Sequence, residues 1–445
     1  MDELTAHATE RIQKSRSSTE TNRLAPEDRG AHDWYRFVLS YPPHVVRNYC
    51  ERFGMTNGAR VLDPFSGTGT TVVECRKQGL ASIGIEAHPM AHFAGTTKVN
   101  WSVDPRRLRA AAERISTVAE RQLRKDGLMD EPQRRLAFEP ALLRELPEEQ
   151  AQLLLKNSIS PRPLHKVLVL RAAMAADRDD EGRAHLRLAL AKGLVGPIGN
   201  LHFGPEVGVG PPKEDAPVIA VWRQNVETIA YDLERLRELE APAAEVRHAD
   251  ARRAVAQLDP ESIDAVITSP PYPNEKDYTR TTRLESVLLG FLANKAELQA
   301  LKKGMLLRSN TRGVYAGDAD DAVVADHPEI QRIAREIEER RIALGKTSGF
   351  ERLYAKVTKL YFGGMARHFA ELRPALRPGA RLAYVVGDQA SYLRVMIRTG
   401  QLLASLAERL GYEVEGIDLF RTRIATATKE QLREEVVVLR WPGRR

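Results

Sequence analysis

Residues 60–88 confine this chain to a narrow set of folds. ARVLDPF is a short apolar run of strand type, SGTGTT a turn of small residues, VVECRKQGL a stretch with helical periodicity, and ASIGIEAHP a second strand. Strand, helix and strand in so short a span make a βαβ unit, and two strands joined by a crossover helix lie parallel. The turn falls where the first strand stops and the helix starts. Gly67 and Gly69 leave out side chains where the backbone must bend and approach a ligand. The helix that follows offers unpaired N–H groups suited to a carboxylate or phosphate.

The same texture returns later. EVRHADARR reads as a strand and loop, IDAVITSPPY as an apolar strand stopped by two prolines, and GARLAYVVGD as a strand after the Pro378-Gly379 turn. YEVEGIDLFRTR and EEVVVLRW, separated by TATKEQLR, predict an antiparallel hairpin closing one edge of the sheet. A chain of 445 residues exceeds one minimal domain, and two mainly helical inserts, 102–218 and 274–354, account for the excess. The expected core is therefore 31–101 plus 219–273 plus 355–445, preceded by a flexible tail over 1–30 that lacks apolar periodicity. No apolar run approaches the roughly 20 residues of a membrane span, and the N-terminus, polar from Asp2, lacks the pattern of a secretory leader. Cys50 and Cys75 have no metal-ligand spacing and read as buried fillers in a reducing cytoplasm.

Acidic residues recur at strand ends. Glu86, seventeen residues after Gly69, ends the second strand, where a carboxylate can accept both hydroxyls of a ribose. Asp250 ends the next strand and can accept from an adenine amino group or cap the following turn. Asp63, just before the Gly-rich turn, could hold an amine. An NAD-type loop wants a small residue where Val72 stands, and no Gly-Lys-Ser/Thr follows for a Walker loop. Those departures favour a ligand bearing a carboxylate, an amine and an adenosine over one bearing a pyrophosphate.

Ser269-Pro270-Pro271-Tyr272 is the sharpest signal. Two prolines fix the backbone, donate nothing, and leave carbonyl acceptors at the carboxyl edge of the sheet. The aromatic ring after them can stack on a planar base. An exocyclic amino nitrogen is a poor nucleophile because its lone pair is delocalised into the ring. Acceptors around the NH2, such as Ser269 Oγ and the Pro270 carbonyl, favour a pyramidal nitrogen and stabilise its developing charge. Neither a metal nor a covalent nucleophile is required.

Taken together, DPFSGTGTT, GIE, HAD and TSPPY resemble the signature of the DNA amino-methyltransferases, and most closely the Ser-Pro-Pro-Tyr, N4-cytosine type. The resemblance spans roughly half the chain. It implies a Rossmann-like class I α/β fold, seven strands with the last antiparallel, and S-adenosylmethionine as cofactor. It assigns Phe65, Gly67 and Gly69 to the methionine part, with Asp63 and Thr70 in the same loop, Glu86 to the ribose and Asp250 to the adenine. SYPPHVVRNYCERF is similar to the family's upstream motif that packs over the cofactor. Ser at position 269 points to cytosine N4, whereas Asp or Asn there marks N6-adenine enzymes. The implied partner is double-stranded DNA, with a cognate restriction endonuclease acting on the same site, in a cytoplasmic, nucleoid-associated setting. An N6-adenine DNA methyltransferase, an RNA amino-methyltransferase and an inactive nucleic-acid-binding protein remain as alternatives.

The target base must leave the duplex, so something must grip phosphates. Residues 276–312 carry eight basic side chains against three acidic ones, within a chain of net charge +7. Arg280, Arg283, Arg308 and Arg312 are the candidate contacts. Sequence recognition is expected of either insert, with the Gly/Pro loop around 199–217 placed to enter a groove. His202 within that loop reads as a structural or surface residue.

Overall fold

The computed structural model describes residues 24–36, 40–132, 143–203, 207–239, 241–274, 277–306, 313–424 and 431–443. Nine strands are present among them: β1 Arg60–Asp63, β2 Ala81–Glu86, β3 Leu201–Phe203, β4 Val207–Val209, β5 Ala244–His248, β6 Ile263–Thr268, β7 Leu376–Gly387, β8 Glu413–Ile424 and β9 Gln431–Arg440. Seven of them form one sheet in the order β5-β2-β1-β6-β7-β9-β8. All neighbours are parallel except β9, which runs antiparallel to both β7 and β8. This is the seven-stranded Rossmann-like arrangement expected. The reversed strand, last in the chain, lies one place in from the edge. VVVL at the centre of β9 is buried continuously, as a strand covered on both faces must be, whereas β8 is only partly buried along its length.

From β1 the chain winds through β2 and β5 to one edge, then returns to place β6 on the other side of β1. The loops leaving β1 and β6 therefore diverge at a switch point, where open α/β sheets form a crevice at their carboxyl ends. The helix Thr70–Lys77 makes the β1-to-β2 crossover.

The first insert is a helical layer. Helix Pro105–Lys125 buries Leu108, Ala111, Ala112, Ile115 and Ala119 as one stripe, the spacing of an amphipathic helix. It packs on Pro161–Ala176 and on Val218–Leu236, which also contacts Arg183–Gly193. Val218–Leu236 was expected to belong to the core. Its buried stripe of Trp222, Val226, Ile229 and Leu233 faces the insert helices instead, so the insert runs on through Leu236. Part of the expected 199–217 loop is a short antiparallel hairpin of β3 and β4, with His202 exposed upon it.

The second insert occupies the β6-to-β7 crossover, with helices Lys295–Gly304 and Pro328–Ala343 leading to Tyr354–Leu372, which covers one sheet face. The expected tail ends earlier than 30. Pro26–Asp28 forms a turn of 3-10 helix, and buried Asp28 accepts from Arg47 Nη1 at 2.7 Å. Residues 1–23 lie outside the described residues. Cys50 and Cys75 are free and buried. No described helix is long and apolar enough to cross a membrane.

Candidate active site

The Gly-rich loop is pinned to β2 by its own backbone. Ser66 N donates to the Ile85 carbonyl at 3.0 Å, and Gly69 N to the Ser66 carbonyl at 2.8 Å. Gly69 is left-handed at φ 88°, and a Cβ there would sit 3.2 Å from Gly95 Cα. Only glycine meets both conditions. The loop opens directly into Thr70, the first residue of its helix, whose initial N–H groups have no intrahelical acceptor.

Glu86 ties the loop to the end of β2. Its carboxylate accepts from Gly67 N at 2.8 Å and from His88 N at 2.7 Å. Desolvation nonetheless pushes this half-buried carboxyl up to about 7. A group so placed gains from further donors, and each oxygen keeps a lone pair for a ribose hydroxyl. The cradle of glycines, the open helix start and this carboxylate fit an S-adenosyl ligand.

Asp63 departs from its expected role. It is fully buried, with Oδ1 accepting from Phe65 N at 3.2 Å and Thr268 Oγ1 at 2.5 Å, and Oδ2 from the Tyr41 hydroxyl at 3.4 Å. Burial pushes its carboxyl up to about 6. No surface is left to meet a ligand amine. Asp63 instead ties the cofactor loop after β1 to Thr268, the residue before Ser269. Phe65 is half-buried and lies edge-on to His368, ring centres 5.0 Å apart. His368 Nδ1 donates to the Ala251 carbonyl at 3.0 Å, so Nε2 of the neutral ring accepts the Tyr384 hydroxyl at 2.7 Å. Burial lowers that imidazole to about 4.

Asp250 stands at the end of β5, but its oxygens are engaged. It accepts from Arg252 Nη2 at 2.7 Å, from Nε at 3.1 Å and from the Arg252 backbone N at 3.0 Å. Arg252 reaches on to Asp320 at 2.8 Å. An adenine amino group would have to compete with this arginine.

At the end of β6, Ser269 Oγ donates to the Val385 carbonyl of β7 at 3.0 Å. That bond spends the only proton of the hydroxyl, so the oxygen meets any further partner as an acceptor, with the Tyr272 hydroxyl within its reach. The Tyr272 ring lies over Gly387, where a Cβ would come within 2.9 Å of Tyr272 Cε2. Tyr272 N donates to the Tyr278 hydroxyl at 3.2 Å, and the Tyr392 hydroxyl to the Asn274 carbonyl at 2.7 Å. Pro270 is buried and Pro271 half-buried between these anchors.

Four catalytic candidates and the Gly-rich loop thus meet at the switch point, with Asp63 as the link beneath them. Tyr41, Thr268, His368 and Gly387 were not singled out from the sequence. Tyr41 lies within the SYPPHVVRNYCERF segment, Thr268 adjoins the tetrapeptide and Gly387 ends the GARLAYVVGD strand pattern, whereas His368 carried no local signal. Among the basic candidates, Arg280 is exposed. Arg283, expected at the surface, is buried and donates to the Leu153 carbonyl at 3.2 Å, the Thr279 carbonyl at 3.2 Å and Thr279 Oγ1 at 2.8 Å. A buried guanidinium spends its donors on internal carbonyls. Arg308 and Arg312 lie outside the described residues.

Three comparisons bear on this geometry. A family model described as DNA methylase, of the N6/N4 type, matches residues 10–93. The Type II methyltransferase M.BsoBI of Geobacillus stearothermophilus is 24% identical, over 94% of this chain and 85% of its own. The Type II methyltransferase M.AvaI of Nostoc sp. is 27% identical, over 44% of this chain and 42% of its own.

Proposed function

We infer that this chain is a DNA methyltransferase of the N4/N6 amino type, and that its acceptor is the exocyclic N4 of a cytosine turned out of the duplex. S-adenosylmethionine, its methyl donor, supplies a methyl group already activated on a sulfonium. What remains for the protein is to position and to hold charge. Gly67, Gly69 and the start of the Thr70–Lys77 helix accommodate the methionine carboxylate, and Glu86 takes the ribose hydroxyls. Tyr272, held on Gly387, stacks on the extruded base. Ser269 Oγ and the Pro270 carbonyl accept from its amino group, which draws the nitrogen lone pair out of conjugation as its bond to the methyl carbon forms and the sulfur–methyl bond breaks, the sulfonium leaving as the neutral thioether S-adenosylhomocysteine. The nitrogen's surplus proton then leaves to solvent.

The observation that carries this reading is the direction of the Ser269 hydroxyl. Its proton is committed to the Val385 carbonyl, so it meets an amine as an acceptor. The choice of cytosine rests on serine at this position. Both relatives are Type II methyltransferases, which supports a restriction–modification setting, with an endonuclease reading the same site as partner.

Incubation with labelled cofactor and unmethylated duplex DNA, followed by mass spectrometry of the nucleosides, tests the proposal. N4-methylcytosine is the expected product. N6-methyladenine would overturn the base choice alone, and transfer only to RNA would overturn DNA as substrate.

A further inference from the structure

The reaction requires a grip on the duplex while a base is extruded, and the basic stretch after Tyr272 supplies less of it than its composition promises. Arg283 is buried among carbonyls, and buried Lys302 pairs with Asp277 at 2.8 Å. Another surface beside Tyr272 has the needed chemistry. β7 pairs with β9 as far as Gly387 opposite Glu434. β8 and β9 stay paired beyond that point, through Thr422 with Arg433, Arg423 with Leu432 and Ile424 with Gln431. A two-stranded ribbon therefore overhangs the carboxyl edge of the sheet, next to the glycine on which Tyr272 rests.

The overhang is braced by the loop 388–398. Leu432 packs with Ala390 and Met396, and Asp388 N donates to the Arg433 carbonyl at 2.8 Å. Both parts carry arginines. Arg398, Arg423 and Arg433 have side chains 43%, 41% and 40% exposed, and pair with Asp388, Glu434 and Glu435 respectively. The pairings steady the guanidinium heads; Arg423 also donates from Nη2 to the Asp388 carbonyl at 3.4 Å, and a guanidinium with five N–H groups keeps donors beyond these. Arg394 is exposed and makes no hydrogen bond or ion pair among the described residues. It follows Leu393 in a pair of left-handed residues, φ 54° and 64°, backbone that is retained in non-glycine residues where a site needs it. At the end of β8, Ile424 is 72% exposed.

We propose that the loop 388–398 and the overhanging β8–β9 ribbon are the phosphate-gripping face for duplex DNA. Arg394, Arg398, Arg423 and Arg433 contact the backbone beside the extruded base, and Ile424 lies against the base step that extrusion unstacks. The inference rests on the DNA reading above. Each phosphate contact releases bound counterions, so contacts are counted by the salt dependence of affinity.

The test measures binding of a mixed-sequence duplex across salt concentrations, with S-adenosylmethionine affinity as the check on the fold. Arg423→Ala/Arg433→Ala should flatten the slope of log affinity against log salt by about 2, and Arg394→Ala by about 1. Cofactor affinity should match wild type in each. Variants that bind cofactor normally and keep the wild-type slope would overturn the inference alone. Should the double variant fail to fold, Arg394→Ala decides, because that side chain holds nothing inside. Wild-type protein with no salt-dependent duplex binding would overturn the DNA reading, and this inference with it.

Discussion

Cofactor affinity should depend on pH through one carboxylate. Desolvation holds Glu86 near 7, and ribose hydroxyls donate to its ionised form. Donors to the charged form lower a carboxyl pKa, so binding expels a proton whenever Glu86 starts protonated. With a free-state value of about 7, roughly a tenth of the protein is ionised at pH 6 and about half at pH 7. Apparent affinity scales with that fraction, and should rise about fivefold across this unit. The ligand's own α-amino group, titrating near 8, stays protonated throughout. Asp63, pushed up to about 6, does not meet the ligand, and its charge acts on binding only by adding to the upward push on Glu86. Calorimetric titration with S-adenosylmethionine at pH 6, 6.5 and 7, in buffers of different ionisation enthalpy, measures both affinity and proton release. At pH 6.5 roughly three-quarters of a proton should be released. Glu86→Gln should bind more weakly, since one backbone donor loses its acceptor, and its affinity should be flat over the window. A wild-type profile as flat as the variant's would refute the assignment of Glu86 to the ribose.

Other perturbations separate chemistry from scaffolding. Ser269→Ala should lower kcat about 10²-fold with cofactor affinity intact, as measured in single turnovers on duplex DNA. An unchanged rate would remove the hydroxyl from the mechanism. Glu285, buried on the second insert, accepts the Tyr35 hydroxyl at 2.8 Å and is pushed up to about 7 from its ordinary 4.5. Its folded form binds a proton more tightly than the unfolded chain, so it destabilises the protein increasingly from pH 4.5 to 7 and constantly above. Glu285→Gln should therefore gain stability over wild type by about 1.4 kcal/mol per pH unit in that window and then level off at about 3–4 kcal/mol. Denaturant melts between pH 5 and 8 check this, and a pH-independent difference would refute it. Arg283→Ala should cost about 2–3 kcal/mol of stability, because three internal acceptors lose a charged donor. The salt slope of DNA binding should stay at its wild-type value.

Much of the core is written in short-range pattern. The βαβ unit at 60–88, the proline-stopped strand before Ser269 and the two β-rich runs near the C-terminus all depend on neighbouring residues and periodicity. Each appears where the pattern places it. The inward position of β9 also has a local correlate, since its continuous apolar run suits a strand covered on both faces. The limits of the first insert were less legible. An amphipathic helix such as Val218–Leu236 shows that it has a buried face, without showing which neighbour buries it.

What a charged side chain does was decided by partners far away in sequence. Asp63 and Glu86 are both carboxylates at the ends of adjacent parallel strands. Asp63 is sealed by Tyr41 from upstream and Thr268 from 205 positions downstream, while Glu86 stays half-open to a ligand. Arg283 and Arg394 look alike as letters in basic stretches. One is buried under the Leu153 carbonyl and the other stands on an exposed left-handed turn. The sequence by itself determined the parallel sheet, the glycine cradle and the acceptor-rich Ser-Pro-Pro-Tyr edge, because these follow from backbone freedom and local hydrogen-bonding capacity. Only the tertiary structure decided which carboxylates and guanidiniums remain available to ligands, because desolvation and pairing depend on contacts that sequence separation does not reveal.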